Sequence, residues 1–537
     1  MTFRIFALPL AALALMGAAA PTLAPVDPQA VNRIRGHVQF LASDELEGRD
    51  TGSQAYRIAA QYVASQFAAV GLKPGGANGG WFLEVPFRKA THASPPTVTL
   101  VNGGERTALK IGQDANLRPS MTQKSVSVEA PLVFVGRGVN DPTLGINDYA
   151  GIDARGKIVV LMAGAPSGLR SDVAAHLHSA KEDMAKAAGA VGMVELPVPG
   201  VRSSRQNRLT ATGPRIDWFK AGSSNSSLAV EVTVSKESGE KLLRGSRHSL
   251  DQLADLASKG GKLPAFDLPA RLAVAGSTTW EDFTSPQVIG LLPGSDPKLS
   301  GENIILMGHL DHLGINEDAK PGEDSIHNGA LDNAAGIATM LEAAQKFSTS
   351  GQAPRRSMMF VANTGEEKGL LGADYFAEYP TVPARSIVGL VNLDMPLLLY
   401  DFTDVIAFGA EHSTIAGIAN SAAASMNVAI ASDPMPQETL FVRSDHYRFV
   451  ERGVPSIFLM TGYANGGKKA WDHFLQNNYH KVSDDLSQPI FWNAAARFAD
   501  LNYRIARALV DADQRPMWYG DSYFGNRFGA GQPKAAR

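Results

Sequence analysis

Five short segments in the C-terminal half carry residues able to hold a metal and move protons. The first is Gly308-His309-Leu310-Asp311-His312, directly after the apolar run Ile304 to Met307. A carboxylate two residues past a histidine can take the ring nitrogen that the metal does not use and fix the tautomer. The second is Asn328-Gly329-Ala330-Leu331-Asp332-Asn333, where Asp332 stands at the mouth of a helix as an N-cap or as a metal-bridging acid. The third is Thr364-Gly365-Glu366-Glu367-Lys368. Two adjacent acids on a loop point different ways, so one can bind metal while its neighbour reaches a water. The fourth is Val391-Asn392-Leu393-Asp394, a lone charge among apolar residues, costly without a partner. The fifth is Tyr479-His480, in a polar loop before the last long helix.

Singly, each segment has an ordinary explanation as a helix cap, a surface histidine or a first-turn acid. Together they fall at the ends of successive strands, where open α/β sheets gather their ligands. His309, His480 and three carboxylates suffice for two zinc ions sharing one aspartate; cobalt and manganese are chemically admissible.

The elements that must position these residues read as strand–helix alternation from residue 286 on. Strands are expected at 288–292, 303–307, 357–362, 387–393 and 456–460. Helices are expected at about 333–347, 369–378, 412–425 and 490–510. Upstream, helices cover parts of 31–72. Residues 125–280 read as an inserted β-rich unit with strands at 130–136, 157–162 and 192–196 and a helix at 179–188. The expected division is a signal peptide at 1–20, an N-terminal part of the catalytic domain at 31–124, the insert at 125–280, the main catalytic part at 286–512 and a tail at 513–537. That tail is expected as a surface arm, and His176 and His178 as surface residues.

The 537 residues are 44% hydrophobic and 19% charged with a formal net charge of -3, so no global positive field favours nucleic acid or an anionic membrane. There is no cysteine, which excludes disulfides and thiolate zinc sites. Arg4 followed by the apolar run to Ala20 reads as a secretory signal, implying a periplasmic or secreted protein with no membrane span after its removal.

The five blocks resemble the signatures of the co-catalytic di-zinc aminopeptidases of the bacterial leucyl aminopeptidase type. Leu41 to Arg49 and Gly71-Leu72-Lys73-Pro74 resemble that family's N-terminal segment. Asp148 to Asp153 with Gly156 to Leu161 resemble the protease-associated (PA) domain often inserted there. The resemblance implies a zinc-exopeptidase-like α/β fold, a mixed central sheet flanked by helices. It implies removal of N-terminal residues from peptides by two Zn2+ ions. Asp332 would bridge them, His309 and Asp394 would complete one, and Glu367 and His480 the other. Glu366 would be the general base toward a water shared by the metals, with Asp311 orienting His309 and Tyr479 stabilising the oxyanion. Arg443, in Arg443-Ser444-Asp445-His446, would bind substrate. No ligand position is substituted. The blocks do not say which end of a peptide is held, so a carboxypeptidase or dipeptidase stays open. A single-zinc glutaminyl cyclase-like acyltransferase and a non-catalytic receptor fit the complete ligand set less well.

Overall fold

The computed structural model describes residues 23–201, 209–211, 213–221 and 228–537. The expected signal segment lies outside them. Among the described residues, no helix is long and apolar enough to cross a membrane.

Four runs, Asn303–His309, Ser357–Asn363, Ile387–Asn392 and Ser456–Thr461, are buried along their whole length and form parallel neighbours. Continuous rather than alternating apolarity is what a strand covered on both faces requires. Ile304, Leu306 and Phe360 face one core, and Ile305, Met307 and Val361 face the other. The helices Pro28–Leu41, Ala335–Thr349 and Trp492–Asp511 pack together on the first face. Leu371–Glu378 and His446–Val450 cover the second. The order is completed by Ala265–Leu292 and Phe82–His92, both antiparallel, on one side, and by Asp404–Phe408 on the other. The result is the expected mixed sheet flanked by helices.

A second sheet is built on the same strand, Ala265–Leu292, which runs for 28 residues. Its first half pairs with Thr97–Asn102 on one edge and Ser125–Val135 on the other. Ile158–Met162, Gly192–Leu196 and Val230–Val234 follow in parallel. This sheet encloses its own core, including Leu100, Phe134, Val160, Val194 and Leu272. The strands Thr97–Asn102, Glu105–Leu109 and Ala115–Leu117 belong to it, although they precede the expected start at 125. Val98, Leu100, Leu109, Ala115 and Leu117 are buried in its core.

Two expectations are corrected. The C-terminal residues are no loose arm: Trp518 and Phe524 are buried, and the Trp518 indole donates to the Gly453 carbonyl at 3.0 Å. Aromatics spaced among glycines supply large apolar area, and it is spent on docking. His176 is also buried rather than exposed. Its Nδ1 lies 2.6 Å from the Tyr447 hydroxyl, and its ring sits among Tyr523, Phe524 and Phe528 of the tail.

Candidate metal centre

Because Asn303–His309, Ser357–Asn363 and Ile387–Asn392 run parallel with His309 beside Asn363 and Met307 beside Asn392, their carboxyl ends share one edge. His309 is the last residue of its strand, and Asp394 and Glu366–Glu367 follow theirs closely. Asp332 lies in the turn Ala330–Ala334 that leads into Ala335–Thr349, and its peptide bond to Asn333 is cis. His480 follows the helix Gly467–Asn477.

Asp332 stands between the two histidines. Its Oδ1 is 3.2 Å from His309 Nε2, and its Oδ2 is 3.4 Å from His480 Nε2. Asp394 Oδ1 is also 3.2 Å from His309 Nε2, and Glu367 Oε2 is 3.3 Å from His480 Nε2. The five side chains thus form two trios of donors that share one carboxylate. His309, Asp332 and Glu367 bring ligand atoms within 4.8 Å of one another.

The surroundings are short of positive charge. Burial pushes the Glu367 carboxyl up to about 8, helped by Asp332. Burial also raises Glu366, with His309 opposing and Asp394 and Glu367 adding to the rise. His309 is raised despite its burial, because Asp394 and Glu366 face it. Buried acids crowded so closely must either hold protons or be neutralised by a cation among them. Nitrogen and oxygen donors in this number fit zinc.

The support around the trios differs from expectation at Asp311. His309 Nδ1 lies 3.0 Å from the Asp311 backbone carbonyl, not its carboxylate. The carboxylate turns the other way, accepting from the backbone N–H of Glu366 and Glu367 at 3.3 Å each and from the Thr51 hydroxyl at 3.0 Å. The backbone oxygen is nearer the ring, and the carboxylate satisfies the amides that begin the 366–367 loop.

Several contributors carried no assigned role in the sequence. Arg49 is 1% exposed and donates to the carbonyls of Leu41, Leu310, Asn328 and Gly329, tying three of the relevant loops together. Burial lowers its guanidinium to about 10, against the pull of Asp484 and Asp311. The Asp484 carboxylate accepts from the N–H of Leu331 and Asp332 at 3.0 Å, and burial raises it to about 7. Ser444 donates to Asp394 Oδ2 at 2.5 Å. Asn333 holds the His309 and Leu393 carbonyls at 3.2 and 2.9 Å. His312 Nδ1 lies 2.7 Å from Glu367 Oε1, while burial lowers the ring to about 3. The available signal was a polar residue inside or close to a quoted block; which of them turn inward depends on chain crossings that spacing does not give.

A cavity of ≈ 360 Å³ opens onto the cluster, lined by Asp332, Glu366, Asp394, Tyr479 and His480 with apolar Met395, Phe458 and Met460. The Tyr479 ring stacks on His480 with centroids 3.9 Å apart, and burial raises its hydroxyl. Arg443 also lines this cavity, 3.5 Å from Glu438 and 45% exposed. A larger cavity of ≈ 600 Å³ shares Leu440 with it but holds none of the cluster residues.

Residues 287–506, the segment containing every residue of the cluster, match the model of peptidase family M28. The family agrees with the one indicated by the five blocks. Over 165 residues the chain is 31% identical to leupeptin-inactivating enzyme 1 of Streptomyces exfoliatus, covering 27% of this chain and 34% of that protein. It is 35% identical over 88 residues to a probable zinc metalloprotease of Pyrenophora tritici-repentis, covering 16% of this chain and 19% of that one. A vacuolar membrane protease of Candida glabrata is 34% identical over 112 residues, 21% of this chain and 10% of that protein. The chain thus spans only about a tenth to a third of the length of these curated relatives. Among solved structures, the aminopeptidase from Aneurinibacillus sp. strain AM-1 is similar over 90% of this chain and 95% of that one, with 21% identity and a TM-score of 0.49.

Proposed function

We propose that this protein is an exported metallo-aminopeptidase that holds two zinc ions between His309, Asp332 and Asp394 on one side and Asp332, Glu367 and His480 on the other. The observation that carries the reading is Asp332, whose two oxygens face different histidines at 3.2 and 3.4 Å. Two zinc ions supply Lewis-acid polarisation of the scissile carbonyl and lower the pKa of water.

The chain's own residues do the rest. Glu366, on the cavity wall, takes the proton of the attacking water and delivers it to the leaving amine nitrogen. The Tyr479 hydroxyl, kept protonated by burial, donates to the oxyanion as the carbonyl becomes tetrahedral. The acids around the trios attract the free ammonium of a peptide N-terminus, and this charge favours an aminopeptidase over a carboxypeptidase. Arg443 borders the cavity as a contact for the departing part of the substrate. Residues 125–280 are proposed as a protease-associated unit beside the site, and residues 1–20 as an export signal.

The deciding experiment uses free, N-acetylated and C-amidated forms of one peptide. Cleavage of the free and C-amidated forms, without the acetylated one, is expected; cleavage that needs a free C-terminus overturns the aminopeptidase reading. Activity should vanish on chelation and return with zinc. Full turnover with the metal content measured at zero would refute the metal centre itself.

A further inference from the structure

His312 immediately follows the acid whose carboxylate holds the amides of Glu366 and Glu367, and it is fully buried. Its backbone N–H donates to the Arg49 carbonyl at 3.2 Å. The ring is pressed on Gly329: a Cβ at that position would lie 2.6 Å from His312 Cδ2 and 2.7 Å from Cγ. Gly329 also has a φ of +60°, so its lack of a side chain serves both the turn and the ring.

The ring nitrogen Nδ1 is 2.7 Å from Glu367 Oε1. With Glu367 ionised as a metal ligand its oxygens only accept, so Nδ1 carries the hydrogen. The other oxygen, Oε2, is the one 3.3 Å from His480 Nε2. The two oxygens of Glu367 are therefore divided between a donor behind the site and the donor trio in front of it. The last torsion of a glutamate is broad and roughly two-fold, and nothing intrinsic to the side chain would hold such a division.

We infer that His312 is a positioning residue for Glu367, which by donating Nδ1–H to Oε1 aims Oε2 at the metal position beside His480. The inference rests on the two-metal reading. Asp311 and His312 thus hold Glu367 at both ends, one by its amide and the other by its carboxylate. His312 touches neither substrate nor metal in this role.

The test compares His312→Asn with His312→Leu. The two replacements are close in size and leave similar space, but only asparagine presents an N–H near the place of Nδ1. Zinc affinity is measured for both sites by titrating the apoprotein against a competing chelator, with the fold checked by circular dichroism and Tm. Outer-shell partners of metal ligands are typically worth 10–100-fold in affinity. His312→Leu should therefore weaken one zinc about 10–100-fold and leave the other within a few-fold, while His312→Asn keeps both near the wild-type values. On a His480→Ala background, where that metal position is already impaired, His312→Leu should add little. A purely structural role would move the two variants equally, so equal zinc affinities in Asn and Leu, with wild type binding two ions, overturn the role of His312 alone. Fewer than two zinc ions in the wild-type protein overturn the metal reading beneath it.

Discussion

At the scale of single residues, the neighbours Glu366 and Glu367 should fail differently. Glu366→Gln keeps size and polarity but cannot take a proton, so both metals should remain and turnover should fall by about 10²–10⁴-fold. Glu367→Gln replaces a charged ligand; one metal should weaken, and excess zinc should recover part of the activity. Metal content and kcat measured side by side decide it, and a Glu366→Gln protein that loses a metal while Glu367→Gln keeps both reverses the assignment. The residues that converge here, His309, Asp332, Glu367, Asp394 and His480, were legible because each sits at a strand end or helix mouth in a fixed order. Arg49 and Asp484 gave no such sign. A buried arginine bonding four carbonyls looks, in sequence, like any surface arginine, and its role arises only when segments far apart in the chain meet.

At the scale of elements, the loop bearing the two acids is fixed by its fit to the following helix. Gly372 sits in the first turn of Leu371–Glu378, and a Cβ there would meet the Thr364 carbonyl oxygen at 1.8 Å and Asn363 Oδ1 at 2.6 Å. Backbone cannot swing aside as a flexible side chain can. Gly372→Ala should therefore cost about 1–3 kcal/mol by overpacking, measured by denaturant unfolding, and lower zinc affinity because the strain reaches residues 364–367. Unchanged stability would mean that the loop relaxes freely. The strands and helices from residue 286 on were readable because buried parallel strands and amphipathic helices write distinct patterns. Residues 97–117 fall in the segment read as the N-terminal part of the catalytic domain, yet Thr97–Asn102 and Ala115–Leu117 join the second sheet, since strand periodicity fixes a buried face but not the partner that covers it.

At the scale of the molecule, His176 lies where residues 171–179, the segment His446–Val450 and the C-terminal tail meet. Burial, assisted by Arg527 and Arg448 and opposed by Asp141 and Asp183, lowers its ring to about 4; Glu451 lies 4.0 Å away. An unfolded histidine titrates near 6.5. Between these values the unfolded chain binds the proton that the folded chain refuses, so stability is complete above about pH 6.5 and falls as pH drops toward 4. The loss attributable to this ring is about 1.4 kcal/mol per pH unit, at most about 3 kcal/mol in all. Equilibrium unfolding at pH 7.5, 5.5 and 4.5 should show a shallower decline for His176→Phe than for the wild type, and parallel declines would contradict the assignment.

The 28-residue strand Ala265–Leu292 also sets an order in time. Val288 pairs with Phe82 and Thr278 with His92, so the partners are about two hundred residues apart in the chain. As the polypeptide is synthesised, Phe82–His92 can pair with Arg215–Trp218, but its longer partner is complete only once the chain has passed residue 292. Neither sheet can close before its own half of that strand has been made, residues 265–277 for one and 278–292 for the other. A nascent chain stopped before residue 265 should therefore remain aggregation-prone rather than yield a folded first half. The finished protein should melt in one calorimetric transition, because neither sheet can release the shared strand without opening the other.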